Sequence, residues 1–374
     1  MGIKHNIAII QKIIPHYRRD FFEKLCNNNL NVEILHSSKI SKDNLVDRVS
    51  FPFPNINVPC FKLGRIYFQP IISIGLSNKY KIIVMGLELS SLSNILIWLF
   101  SIISRKRIIW WTHGFNLNLQ KTGLFFWIDR KVKTLLMKFS YKILLYTDYG
   151  LKELIKNGIE KNKIIILGNA LDESIYRKAL KEINLDEEIK KIEIETKKSF
   201  HTITYLGRLT KAKKPLLILE ITKKLINNFP DLRVFIIGDG EEKENLKKQI
   251  NLMQFQKYIY LIGSINDPKK LAPYMTLTDF IVIPERVGLS IVHSMIYGIP
   301  FITLKNIYHG PEIAYLESGK NGYLANNIDD LVNWVIDVWN SSEKYNELKR
   351  NCISTIEKKV NIKSMVENFL NAIN

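Results

Sequence analysis

Short runs of β-branched and apolar residues, each followed by a longer helical stretch, alternate along almost the whole chain. Residues 7–10, 32–35, 81–85, 107–111, 143–146 and 163–167 read as strands, with helices over 20–27 and 93–104 between them. This order demands parallel sheets covered on both faces, because parallel neighbours need a long crossover that is usually a helix. The alternation stops at 172–199. There the charge-dense Leu185-Asp186-Glu187-Glu188-Ile189-Lys190-Lys191 reads as a polar linker with at most a short helix. It resumes with strands over 202–206, 232–237, 259–262, 280–283 and 301–304, and helices over 214–228, 242–251 and 290–297. The expected fold is α/β: two Rossmann-like domains facing each other across a cleft. The first covers residues 1–170 and the second 171–355, and a last helix over 356–374 packs back on the first. Ligands of such sheets sit beyond the carboxyl ends of the strands, so functional residues are sought just after strands.

Composition narrows the class. With 46% hydrophobic residues over 374 positions, the chain can bury a large core and has no reason to stay disordered. Cys26, Cys60 and Cys352 are scattered, with no disulfide or metal-binding spacing, which predicts a reducing, cytoplasmic setting. The start of the chain shows no cleavage signal, so no signal peptide is expected. The longest apolar run, 95–103, falls short of the ~20 residues a bilayer span needs and reads as a buried helix between two strands. Net charge is +18, from 54 basic and 36 acidic residues. Nucleic acid, an anionic membrane, anionic small substrates and a general bias toward Ile, Lys and Asn all compete to explain it.

Two segments concentrate chemistry. In Tyr205-Leu206-Gly207-Arg208-Leu209-Thr210-Lys211-Ala212-Lys213-Lys214 a strand ends at a glycine, an arginine follows, and lysines open the next helix. A planar guanidinium fork and a point charge suit a diphosphate; the same letters also fit a solvated basic helix start. In Ile283-Pro284-Glu285-Arg286-Val287-Gly288-Leu289-Ser290-Ile291-Val292-His293 a strand delivers Glu285 and a helix opens near Ser290. The free N–H groups of that helix can hold a phosphate, and His293 lies within reach of a ribose hydroxyl. Gly298 and Pro300 close the helix. His113 follows the strand 107–111, as a cleft residue or a turn cap. His309-Gly310-Pro311-Glu312 follows the strand 301–304, as a sugar contact or a plain helix start. No Asp-x-Asp pair is available for a metal; Asp186-Glu187-Glu188 and Asp329-Asp330 read as solvated charges.

These segments, with Phe235-Ile236-Ile237-Gly238-Asp239-Gly240, Leu261-Ile262-Gly263-Ser264-Ile265 and Asn169-Ala170-Leu171-Asp172, resemble in order the donor-binding half of family-4 retaining glycosyltransferases of the GT-B fold. That family's motif is a glutamate, Gly-Phe-Gly-Leu and a second glutamate, leading into a helix and Gly-x-Pro. In the first domain the likeness rests on Trp111-Thr112-His113-Gly114 and Ile14-Pro15-His16-Tyr17-Arg18. The resemblance implies that Arg208 and Lys213 neutralise the donor diphosphate and that Glu285 contacts the donor sugar. His113 would stand near the reacting centre, and the N–H groups of Gly288, Leu289 and Ser290 would hold the distal phosphate. Gly207, Ser264, Ile265 and His293 would complete the donor site, and His16, Tyr17 and Arg18 would meet the acceptor. His16 as a general base, the inverting alternative, is the other role open to it. Two departures stand out: His293 replaces the second glutamate, and Gln11-Lys12-Ile13-Ile14-Pro15 lacks the paired glycines of many relatives.

The resemblance further implies no metal and no cofactor beyond a UDP- or GDP-linked sugar donor. The acceptor would be a glycan or lipid-linked glycan, in bacterial surface-polysaccharide or lipopolysaccharide synthesis. A sugar-nucleotide epimerase of the same fold and a non-catalytic nucleotide-sugar binder are the alternatives. Between 105 and 142, Arg105, Lys106, Arg107, Lys121, Arg130, Lys131, Lys133, Lys138 and Lys142 face Asp129 alone. Among them Leu124-Phe125-Phe126-Trp127-Ile128, Val132, Leu135, Leu136 and Phe139 recur at helical spacing. Such a helix either lies in an anionic membrane interface or packs as a core helix with a solvated side. No nucleic-acid reader motif accompanies the charge. A peripheral position on the inner face of the cell membrane follows.

Overall fold

The computed structural model describes residues 6–28, 30–37, 51–115, 123–196, 199–306 and 308–374. The chain divides into two compact units: 1–171 with 362–374, and 172–361.

The first unit carries nine strands: β1 (Asn6–Ile10), β2 (Asn31–His36), β3 (Asn55–Asn57), β4 (Phe61–Leu63), β5 (Ile66–Phe68), β6 (Ile82–Gly86), β7 (Arg107–Thr112), β8 (Lys142–Leu145) and β9 (Ile164–Ile166). Seven form one parallel sheet in the order β3-β2-β1-β6-β7-β8-β9, and β4 pairs antiparallel with β5. The order reverses between β1 and β6, which opens a crevice at their carboxyl ends. Ile7–Ile10 and Ile82–Met85 are buried without interruption, as strands covered on both faces must be. Helix Ile362–Ile373 returns to this unit, setting Phe369 edge-on to Phe21 with ring centroids 5.8 Å apart.

The second unit adds β10 (Thr202–Leu206), β11 (Arg233–Ile237), β12 (Ile259–Gly263), β13 (Phe280–Val282), β14 (Phe301–Leu304) and β15 (Gly322–Ala325). They form a parallel sheet, β12-β11-β10-β13-β14-β15, whose order reverses between β10 and β13. The long helix Ser342–Lys359 stays with this unit.

Two expectations need correcting. Residues 172–199 are not a polar linker: helices Glu173–Glu182 and Leu185–Thr196 occupy most of the stretch. Asp172 caps the first by accepting from the Ser174 N–H at 3.1 Å. Ala179 and Ile192 are the apolar contacts they bury, too few to show as a periodic pattern among so many charges. The apolar run 95–103 is a helix between two strands, as expected, but only part of it is buried, Ile97 and Trp98 among its apolar residues. Helix Leu92–Ile103 turns small polar residues inward, Ser93, Asn94 and Ser101, and leaves Leu92, Leu99, Ile102 and Ile103 exposed. Ser93 faces in because its hydroxyl both accepts from the Gln69 N–H and donates to the Gln69 carbonyl. Strands β3, β4, β5 and β15 escaped the sequence pattern, being three or four residues long and mostly exposed or half-buried.

The carboxyl ends of β10, β11 and β12 are tied by backbone alone. The Gly207 N–H donates to Ile237 O at 2.9 Å, the Gly238 N–H to Gly263 O at 2.8 Å, and the Leu209 N–H to Asp239 O at 2.9 Å. A Cβ on Gly238 would stand 1.9 Å from the Gly207 carbonyl oxygen. Gly238→Ala is therefore expected to destabilise the protein by at least about 1–3 kcal/mol, the range for overpacking, since the obstacle is backbone. Urea denaturation checks this.

Candidate functional site

The second unit gathers its charged groups at the switch point between β10 and β13. Past β10 the chain runs through Gly207 and exposed Arg208 into the turn Lys211–Lys213. Lys213 Nζ comes back under the loop, 3.8 Å from where a Gly207 Cβ would be, and donates to the Arg286 carbonyl at 2.8 Å. Lys214, at φ 45°, turns the other way, and its ammonium lies 2.5 Å from Glu285 Oε1.

Past β13, Arg286 takes a left-handed conformation, φ 54°, with its guanidinium 5.6 Å from the Tyr308 ring centroid. It stands where the resembled motif has glycine, which adopts that conformation without the usual cost of ~1–2 kcal/mol. His309 braces the same loop. Its Nε2 donates to Leu304 O at 2.8 Å and its Nδ1 accepts from the Val287 N–H at 3.2 Å, which fixes a neutral tautomer. Both ring nitrogens are thus spent on backbone, so the sugar-contact alternative gives way to a structural one. Helix Ser290–Ile296 follows. Among the described residues the N–H groups of Leu289 and Ser290 meet no carbonyl, and the buried Ser290 hydroxyl has no partner. No atom lies within 4 Å of a Cβ placed on Gly288, so the space beside it is open.

Electrostatics confirm that these groups share one neighbourhood. Lys213 keeps some surface in solvent, yet the protein around it pushes its pKa down from 10.5 to about 8. Loss of hydration is the main cause. The Arg208 and Arg286 cations add to it, and buried Glu312 opposes them. With the Lys214–Glu285 pair counted, four cations face two carboxylates here, which leaves a net positive site that an anionic ligand would satisfy.

His293 packs edge-on against Tyr176, centroids 5.1 Å apart. Ser264 and Ile265 follow β12 on their own loop. Arg286 and Lys214 are the residues that sequence reasoning missed, although Arg286 in a glycine position was a visible signal.

In the first unit His16, Tyr17 and Arg18 form a single turn after β1. His113 follows β7 and stacks on Tyr146, ring centroids 4.0 Å apart. Its surface is exposed, but the crowding of protein around it, with the Arg18 charge second, pushes its pKa down to about 4. The ring is neutral at pH 7. Among the described residues no group of three or more His, Cys, Asp or Glu is placed to hold a metal ion.

Comparison with known proteins fits this arrangement. Residues 184–355 match the family described as glycosyl transferases group 1. That match lies within the second unit and covers just under half of the chain, and the chain has the GT-B fold. It is 25% identical over 174 residues to a poly(ribitol-phosphate) alpha-N-acetylglucosaminyltransferase of Staphylococcus aureus, covering 46% of this chain and 35% of that protein. It is 28% identical over 217 residues to an Escherichia coli UDP-Gal:alpha-D-GlcNAc-diphosphoundecaprenol alpha-1,3-galactosyltransferase, covering 56% and 53%. The chain spans about half or less of the length of these curated relatives. A crystal structure of Anabaena HepE in complex with UDP superposes with a TM-score of 0.75 at 15% identity, covering 99% of both chains.

Lys213 titrates in an accessible range, and the signs for stability and binding are opposite. Its folded pKa is depressed, so the unfolded chain binds the extra proton and stability of the free protein rises from about pH 8 to 10.5. Affinity for inorganic pyrophosphate is expected to fall over the same window as the ammonium is lost. Calorimetric titration of wild type and Lys213→Arg checks this, the arginine variant showing no such fall because guanidinium stays charged.

Proposed function

We propose that this protein transfers a sugar, with retention of configuration, from a UDP- or GDP-linked donor to a glycan or lipid-linked acceptor in bacterial surface-polysaccharide synthesis. The observation that carries the reading is the cation cluster of Arg208, Lys213 and Arg286 beside the opening of helix Ser290–Ile296. As the glycosidic bond breaks, negative charge builds on the leaving diphosphate, and fixed cations and N–H groups lower that barrier. Arg208 and Lys213 supply the charge, and the N–H groups of Gly288, Leu289 and Ser290 take the distal phosphate. Gly207, Ser264, Ile265 and His293 complete the donor site. Glu285, held by Lys214, is positioned to accept hydrogen bonds from donor-sugar hydroxyls. Neutral His113 offers a hydrogen bond to the reacting groups without competing for the diphosphate. His16, Tyr17 and Arg18 belong to the acceptor side. Relatives named for UDP complexes and for an undecaprenyl-diphosphate acceptor support both halves of this assignment.

The first unit supports a position at an anionic membrane surface, on the cytoplasmic side. Strands β6, β7 and β8 are successive neighbours, so right-handed crossovers put helices Leu92–Ile103 and Leu124–Lys138 on the same face. The second buries only Leu136 and Met137; Leu124 is 68% exposed, Phe125 89% and Trp127 57%. A core helix would not leave those side chains out, and Lys131 and Lys138 stand exposed among them. Lys121 of the basic run lies outside the described residues. No described helix is long and apolar enough to cross a membrane.

Arg208→Ala is expected to lower turnover of the cognate nucleotide sugar by roughly 10²–10³, the loss typical of one oxyanion donor. Turnover should survive EDTA, since the cations do the work of a metal. A labelled-donor assay, with NMR of the product anomer, measures both; unchanged turnover in the variant ends the assignment. Phe125→Ser/Trp127→Ser should reduce co-sedimentation with vesicles containing phosphatidylglycerol and leave donor turnover in solution unchanged.

A further inference from the structure

The first unit has a half-open pocket of about 320 Å³ at the carboxyl ends of β1, β6 and β7, and one residue in its wall points to the kind of ligand it would take. Arg18 is 3% exposed. Its Nη1 touches only the Met365 sulfur, at 3.8 Å, and its buried Nη2 has no partner. Among the described residues no carboxylate lies within ion-pair reach of it. The rings of Trp111, Tyr146 and Tyr17 flank the guanidinium at 4.7, 5.0 and 5.5 Å. They attract a cation but accept no hydrogen bond in its plane.

A guanidinium cannot escape burial by losing its proton, so a buried fork needs hydrogen-bond acceptors, and an anion is the strongest of these. Among the described residues the pocket supplies no anion for it. Their one lining carboxylate, Glu88, accepts a hydrogen bond from Tyr67 Oη at 3.1 Å, and Lys12 sits 4.4 Å from the centroid of that same ring. His113 is neutral. Two further lining residues have buried polar atoms without partners, the acceptor Asn94 Oδ1 and the donor Trp111 Nε1, which would suit a hydroxylated ligand.

We propose that this cavity binds an anionic group of the acceptor, a phosphate or a carboxylate, in the fork of Arg18, with neighbouring hydroxyls meeting Asn94 and Trp111. The proposal rests on the reading of the first unit as the acceptor side, and makes that acceptor an acidic one. The phosphate would belong to a lipid or polyol phosphate, the carboxylate to an acidic sugar.

The full-length protein is titrated with glycerol 1-phosphate, with methyl glucuronide and with neutral methyl glucoside, following tryptophan fluorescence. At least one anion should saturate with a Kd of roughly 1 mM, and the neutral glycoside should not. Whichever anion binds identifies the source of the charge. Arg18→Met should weaken that binding at least about tenfold, and Arg18→Lys less, a point charge lacking the bidentate fork. Equal response to the neutral glycoside, no response to either anion, or full anion affinity in Arg18→Met overturns the proposal. UDP affinity is measured on the same samples. Retained in Arg18→Met, it shows a folded protein; absent from wild type, it fails the donor reading while the Arg18 result stands.

Discussion

Arg208, Lys213 and Arg286 repel one another, and the fold holds them together regardless. Backbone hydrogen bonds tie the glycine loops after β10, β11 and β12 together, which fixes the backbone that carries Arg208. Lys213 is bound to the Arg286 carbonyl, and Arg286 itself sits in a strained left-handed conformation beyond β13. Strain and like-charge repulsion concentrated at one sheet's switch point are sustained by the rest of the unit, and an anion relieves both. The proposed chemistry of diphosphate departure rests on that stored charge rather than on any single acid or base.

The first unit solves a different electrostatic problem. Its buried charge is a single guanidinium, stabilised by aromatic faces that leave its hydrogen-bonding edge unsatisfied. The second unit carries its charge on loops at the surface, whereas the first sets its charge in the wall of a pocket. Under the proposals above, the one would take a nucleotide diphosphate and the other a compact anionic group.

Hydrophobic residues on the first unit's helices tell the reverse of the usual story. Leu124–Lys138 buries only Leu136 and Met137, while Leu92–Ile103 buries Ile97 and Trp98 and leaves Leu92, Leu99, Ile102 and Ile103 outside. Under the membrane proposal these exposed side chains, with their basic neighbours, would meet an anionic lipid surface.

Local pattern determined much of this protein. Uninterrupted apolar runs at βα spacing specify parallel strands, because only a strand covered on both faces can be apolar throughout, and five of the second unit's six strands were readable that way. Residue type also marked Arg208, Lys213 and Glu285, since glycine after a strand followed by charge has few other uses. Tertiary structure alone decided what those letters touch. Helices in 172–196 lacked a visible apolar stripe because their partners are few. The inward turn of Ser93 and Asn94 depends on hydrogen bonds to Gln69 and Gly86, residues no periodicity connects to them. That no described carboxylate pairs with the Arg18 guanidinium is decided in three dimensions. A sequence lists the charges a chain carries, but which of them is left without a counter-charge is settled only when the chain has folded and excluded water from around each one.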